Sequence, residues 1–219
     1  MRPSLRGKGP LDPPTEGLVA FAAAVAAGRE PEIAAAAQEL HRAGPPGEWV
    51  DELLLQSVLM VGYPRALVAA GVWRAVSGLP APAADAAMGD MQAEWEARGI
   101  ATCRTIYGGN YERLRANVQA LHPALDRWMV VEGYGRVLSR PGLDLARREL
   151  CAVAQIAVLG APRQLHSHLR GALQAGAPVD AVTAALKTAE PFLTPESRKL
   201  AVDIWGRMRE SAENAEEAG

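Results

Sequence analysis

Residues 134–176 read YGRVLSRPGLDLARRELCAVAQIAVLGAPRQLHSHLRGALQAG, and two glycines inside them, Gly160 and Gly176, bracket a helix-length segment. A second pair, Gly28 and Gly44, brackets GREPEIAAAAQELHRAG with the same spacing. The offset between the pairs is 132 positions, and it matches Leu18 with Leu150, Val50 with Val182, Leu54 with Leu186 and Trp73 with Trp205. Alanine matches carry little weight in so alanine-rich a chain; the Gly, Leu and Trp matches carry more. A glycine just past the last periodic residue marks a helix end, because it adopts the left-handed cap conformation without a Cβ penalty. The spacing reads as one four-helix motif used twice, over 16–78 and 147–211. The competing reading is two unrelated helical hairpins with similar turns.

Working outward, Gly and Pro punctuation divides the whole chain into helical segments. The pattern predicts helices over 16–27, 31–43, 48–61, 65–77, 85–98, 110–120, 123–138, 144–159, 163–175, 179–189 and 195–211, with Asp144 as an N-cap. No stretch alternates with period two between turn signals, so the expected fold class is all-α. Residues 79–87 (LPAPAADAA) read as a linker, and 88–140 supplies helices that cover the second copy.

The 219 residues suffice for one sizeable domain, and 49% hydrophobic with 22% charged residues is ordinary globular composition. With 23 Lys+Arg against 25 Asp+Glu, nothing in the charge balance favours nucleic acid. Cys103 and Cys151 are the two cysteines, with no C-x-x-C pair, which points to a reducing compartment, the cytoplasm. Arg2, Arg6 and Lys8 ahead of an apolar run at 18–27 outline an export signal. Pro10, Asp12, Pro13, Pro14 and Glu16 interrupt that outline, and the run has a counterpart inside the chain, so it reads as a core helix. No uninterrupted apolar stretch reaches the ~20 residues of a membrane span, so no membrane association is expected.

On helix 163–175, Leu165, Leu169, Ala172 and Leu173 form a core-facing stripe that draws His168 into its flank. On the preceding helix Leu150, Val153, Ala154, Ala157 and Val158 form the stripe, with Glu149 at its edge. A carboxylate and an imidazole near the rims of two packed helices can shift each other's pKa and exchange protons. From spacing alone, a structural Glu–His hydrogen bond without turnover comes first. His166 is two residues from His168 and faces elsewhere, so the pair is not a metal site, and none is expected. His41 reads as a partly exposed helix residue and His122 as a helix start. Arg147 and Arg148 open a helix, where positive charge opposes the dipole; a solvated face and an anion contact both account for them. No P-loop, dinucleotide fingerprint or serine-nucleophile elbow occurs.

The R-P-G-L turn at 140–143, R-E-L at 148–150 and H-L-R-G-A at 168–172 resemble the core of the carboxymuconolactone decarboxylase family. The likeness runs from about residue 98 to 190. In the first copy residues 50–69 (VDELLLQSVLMVGYPRALVA) resemble the family's later helix pair, with its Gly-x-Pro. The resemblance implies an all-α bundle of the alkylhydroperoxidase D-like type that assembles into trimers or hexamers, with active sites at or near subunit contacts. The peroxidase branch of that family carries E-x11-C-x2-C-x3-H. On this chain Glu149 and His168 take the acid and histidine positions, but Ala161 and Gln164 stand where the cysteines belong. Without a thiolate, that thiol peroxidase chemistry is excluded.

The decarboxylase branch needs no thiol and, as the resemblance implies, no cofactor. It removes CO2 from a small carboxylated lactone or related acid. His168 would then be the proton-transfer group, Glu149 its orienting partner, and Arg148 or Arg170 the holder of the substrate carboxylate. The alternative is a catalytically inactive small-molecule-binding or assembly protein on the same scaffold. The first copy has Gly17 and Ala36 at the acid and histidine positions, yet keeps Gly62-Tyr63-Pro64; the second has Thr194-Pro195-Glu196 there. The expected organisation is an extended or disordered arm at 1–15, a first, non-catalytic repeat at 16–78, a linker and helix at 79–97, a second domain at 98–211 and an acidic tail at 212–219. Three two-motif chains would build a six-unit ring, so a homotrimer is expected, with 53–73 as its apolar surface.

Overall fold

The computed structural model describes residues 10–85, 89 and 91–217, with side chains up to position 209. The expected arm at 1–9, part of the linker (86–88) and the end of the acidic tail lie outside the described residues. The described residues form helices α1 (Pro13–Ala27), α2 (Glu30–Ala43), α3 (Gly47–Ser77), α4 (Gln92–Tyr107), α5 (Tyr111–Leu121), α6 (Pro123–Trp128), a π-helical segment (Met129–Leu138), α7 (Leu145–Leu159), α8 (Pro162–Gln174), α9 (Val179–Ala189) and α10 (Pro195–Glu217). No strand occurs among them, and the fold is all-α.

The two copies begin alike. Asp12 caps α1 by accepting from Thr15 N at 2.8 Å, and Asp144 caps α7 by accepting from Arg147 N at 3.0 Å. Both first helices end on left-handed glycines, Gly28 and Gly160, with φ of 78° and 65°. α1 and α7 pack side by side at the centre; α2 and α3 lie on α1, and α8, α9 and α10 on α7. The predicted pair 48–61 and 65–77 is the two arms of α3, which bends at Gly62 (φ 75°, ψ 169°), a conformation no helix contains. In the second copy the 3-10 turn Glu190–Phe192 separates α9 from α10 near the equivalent place.

Two readings are corrected. Residues 10–15 are not an arm: Leu11 and Thr15 are buried in the core. They are held there because Arg147 reaches across the copies, donating to Thr15 Oγ1 at 2.7 Å and Asp12 Oδ2 at 2.9 Å while also pairing with Asp144. The helix expected from 85 starts instead at Gln92, where Glu94 Oε2 accepts from Met91 N at 2.8 Å and fixes the first turn. α3 is long and apolar enough to cross a membrane by length and composition, although no uninterrupted apolar stretch within it reaches ~20 residues; it is bent at Gly62 and packs on α1, α2 and α7.

The segment between the copies builds a lid over α8. α4 crosses the π-helical segment so closely that a Cβ on Gly99 would collide with Val130 O, and one on Gly135 with Trp95 O. That crossing positions Tyr107 and Tyr134 on the same cavity wall as His168 of the second copy.

Candidate functional site

The sequence pattern placed Glu149 at the edge of an apolar stripe. In the structure α7 is surrounded, with every residue from Ala146 to Ala157 buried, so Glu149 lies in the core instead. A carboxylate there is costly unless it is hydrogen-bonded. Its partner comes from α8: His168 Nδ1 and Glu149 Oε2 are 2.9 Å apart. Three residues on, Gly171 makes the room, since a Cβ at that position would lie 2.6 Å from Glu149 Oε2 and 2.9 Å from Ile106 Cγ2. Glu149 Oε1 has no hydrogen-bond partner among the described residues.

Burial pulls the His168 pKa down, but the charge and hydrogen bond of Glu149 outweigh it and hold the imidazolium above the ordinary histidine value. With Nδ1–H committed to the carboxylate, Nε2 is the nitrogen left for exchange with a ligand. The ring is 11% exposed and contributes to the wall of a cavity of about 750 Å³.

The cavity lies between α3, α5, α6, α8 and the lid. Leu114, Val118, Leu125, Trp128 and Met129 make much of its wall apolar, and Asn117, Glu132, Gln164 and Arg163 supply polar groups. Beside His168 are Tyr107 and Tyr134, whose hydroxyl oxygens are 2.9 Å apart and whose rings meet edge to face. Burial pushes the Tyr107 hydroxyl up to about 12 and the Tyr134 hydroxyl well above its usual value, with the Glu149 charge adding to both.

Neither arginine expected at the substrate faces this cavity. Arg148 is fully buried on the opposite side of α7: it donates to Glu52 Oε2 at 2.7 Å and Leu143 O at 3.0 Å, and Arg140 shares the same glutamate at 3.0 Å. Two cations sharing one buried carboxylate, with Arg140 also paired to Asp85, is an internal linkage between α7, α3 and the turn at 140–143. Arg148 Nη1 is left without a partner among the described residues, but it is buried there and does not line the cavity. Arg147 is tied to Asp12 and Asp144 in the same way, which removes the solvated-face reading for both. Arg170 is exposed and outside the cavity wall. The arginine that does line it is Arg163, in the first turn of α8.

Sequence reasoning missed Arg163, Tyr107 and Tyr134. The tyrosines lie in the segment that has no counterpart in the repeat, so the repeat could not point to them; their pairing depends on the Gly99–Gly135 crossing. Ala161 and Gln164 hold the thiol positions as read. Cys103 and Cys151 are buried, their thiols pushed up to about 12 chiefly by burial, too high for a thiolate nucleophile. His122 caps α6 by accepting from Ala124 N at 3.0 Å, and His41 is exposed against the edge of Trp73. Among the described residues no three His, Cys, Asp or Glu side chains are grouped to hold a metal ion.

Comparison with curated proteins returned no match. The sequence model of the carboxymuconolactone decarboxylase family matches residues 2–75 and 123–202, which covers most of both copies. Two copies of one helical motif, an acid–histidine pair in the second and a family match that spans both lead to one conclusion: the chain belongs to the carboxymuconolactone decarboxylase family, as a two-repeat member without the C-x-x-C cysteines.

Proposed function

We propose that the chain is a carboxy-lyase in which His168, oriented by Glu149, protonates the carbon left by a departing carboxylate. The observation that carries this reading is the 2.9 Å Glu149–His168 contact, with the carboxylate in the core and the ring on a cavity wall. Glu149 accepts the hydrogen bond from Nδ1–H and keeps the ring charged, so the proton available for delivery is the one on Nε2. The ligand is a carboxylic acid whose scissile C–C bond is conjugated to a carbonyl, such as an unsaturated lactone acid or a 3-oxo acid. Arg163 attracts its carboxylate, and the apolar wall favours the change from anion to neutral CO2. A cavity of about 750 Å³ suits an acid with an apolar body larger than a small lactone.

The test is CO2 release in a screen of carboxylated lactones and 3-oxo acids, followed by His168→Gln on any substrate found. Full turnover by that variant would remove His168 from the mechanism. Saturable ligand binding with no turnover across the screen would favour the inactive binding scaffold.

Assembly is part of the same proposal. Leu55, Leu59, Tyr63 and Leu67 recur every four residues along α3 and are exposed, Tyr63 and Leu67 at 66% each. Leu59 also lines the cavity, so a second copy covering this ladder would sit beside the site. A homotrimer is the proposed state, and a monomer by light scattering at micromolar concentration would defeat it. The two free, buried thiols fit a reducing compartment, and the cytoplasm is the proposed location.

A further inference from the structure

The lid contributes two groups to the cavity that the acid–histidine pair does not use. Tyr107 is the last residue of α4 and Tyr134 lies within the π-helical segment; the two hydroxyls are 2.9 Å apart on the cavity wall that also holds His168. A hydroxyl pair of this kind consumes one of its two protons internally. Whichever oxygen donates, the other keeps an O–H with no partner among the described residues, and a ligand is its natural acceptor. The position is set by a close helix crossing: a Cβ at Gly99 or Gly135 would collide with the facing backbone, so only glycine permits this approach, and Tyr134 adjoins it. π-helical turns inside helices are frequent at functional sites because they re-aim a side chain.

We propose that the Tyr107–Tyr134 hydroxyl pair is an oxyanion-binding site that receives the carbonyl oxygen of the cavity-bound acid. This deepens the carboxy-lyase reading and rests on it. In the reaction the C–C bond to the carboxylate breaks, CO2 leaves, and the bonding electron pair moves through the carbon skeleton onto the carbonyl oxygen, giving an enolate. The enolate oxygen accepts from the hydroxyl pair. His168 then transfers the Nε2 proton to carbon, the carbonyl re-forms, and the neutral imidazole regains a proton from water. The tyrosines keep their protons throughout, as their raised pKa values require. A neutral donor in a low-dielectric wall stabilises developing charge without first holding the substrate carboxylate as an ion pair, so its contribution falls on the transition state.

A phenolate is a stable stand-in for the enolate, so binding of para-nitrophenol, followed by the absorbance of its ionised form, tests the site without a substrate. The intact protein is expected to bind the phenolate in preference to the phenol. In a His168→Gln background the imidazolium is gone, and the preference should persist, held by the hydroxyls with Arg163 as the remaining cation of the cavity wall. Adding Tyr107→Phe or Tyr134→Phe to that background should weaken phenolate binding by about 10- to 100-fold, the usual loss for a hydrogen bond to a charged acceptor. Adding Arg163→Gln should have the smaller effect. Tyr134 is the more buried of the two, so Tyr107→Phe is the variant that decides if Tyr134→Phe does not fold. Phenolate binding unaffected by either Phe variant, or no phenolate preference in the intact protein, overturns the inference. Neither result touches the His168 reading, which stands or falls on the turnover of His168→Gln.

Discussion

Where α1 crosses α2, a Cβ on Gly17 would lie 3.0 Å from Leu40 Cδ1 and 3.3 Å from Leu40 Cα. At the equivalent crossing of α7 and α8 the glycine has changed helices: Glu149 stands at the Gly17 position, and Gly171 stands where α2 has Glu39. Leu40 is replaced by Ala172. Each crossing holds one bulky group, because interiors are close-packed and a second would have no space. In the first copy that group is an apolar side chain from the second helix. In the second copy it is a carboxylate from the first helix, with His168 in place of Ala36 to satisfy it. A shared backbone frame therefore yields a filled apolar crossing on one side and an ionisable pair on the other, and only the second is roofed by Tyr107 and Tyr134.

The most forceful way to break this contrast is to make the second crossing chemically like the first. Replacing His168 with Gln, or Glu149 with Gln, should lower turnover on an identified substrate by ~10²–10⁴-fold while helical content by circular dichroism is retained. Equal losses in the two variants would show that the carboxylate acts through the imidazole. Cutting the link between the copies should come next. Arg147→Met leaves Asp12 and Asp144 without their shared cation, and chemical denaturation should show a loss of about 1–3 kcal/mol. The figure is held down because both carboxylates still reach water.

The glycine exchange itself can be tested by the same substitution at the two related positions. Gly171→Ala puts a methyl against Glu149 and Ile106, and overpacking of this kind typically costs about 1–3 kcal/mol. Glu39→Ala, on the exposed face of α2, should change stability by no more than about 0.5 kcal/mol. Similar values at both sites would mean that Gly171 is not there for room. The smallest effect expected is a pH dependence carried by one copy only. The His168 pKa is raised in the folded protein, so the stabilisation from its charged pair with Glu149 is fully present below the ordinary histidine value of about 6.5 and is lost as pH rises through the raised value. The stability difference between the parent and His168→Gln should therefore shrink with rising pH. A difference that grew instead would mean that burial outweighs the carboxylate.

How much of this was legible beforehand follows from the range of the interactions involved. The cap at Asp144, the terminal glycines at 28 and 160 and the break at 62–64 were readable because each is decided within a few residues of chain. The Asp12 cap was not, because what holds residues 10–15 in place is Arg147, 135 positions away from Asp12. The pairing of Glu149 with His168 was readable as a possibility from two adjacent helices. That Glu149 lies in the core was not, because α7 shows one apolar stripe by itself and becomes surrounded only when α1, α3, α9 and α10 close around it.

The sequence by itself determined an all-α chain, its repeat, its missing thiols and the two residues of the acid–histidine pair, since periodicity, capping and residue identity are properties of local chain. The tertiary structure alone decided which cations are spoken for and what lines the cavity. Arg148 finds Glu52 across 96 positions, and Arg147 finds Thr15 across 132. Tyr107 meets Tyr134 across 27, through a helix crossing that two glycines permit. Whether a charged or hydroxyl side chain is a bolt inside the protein or a hand extended to a ligand depends on what distant segments bring to it, and no local pattern records that.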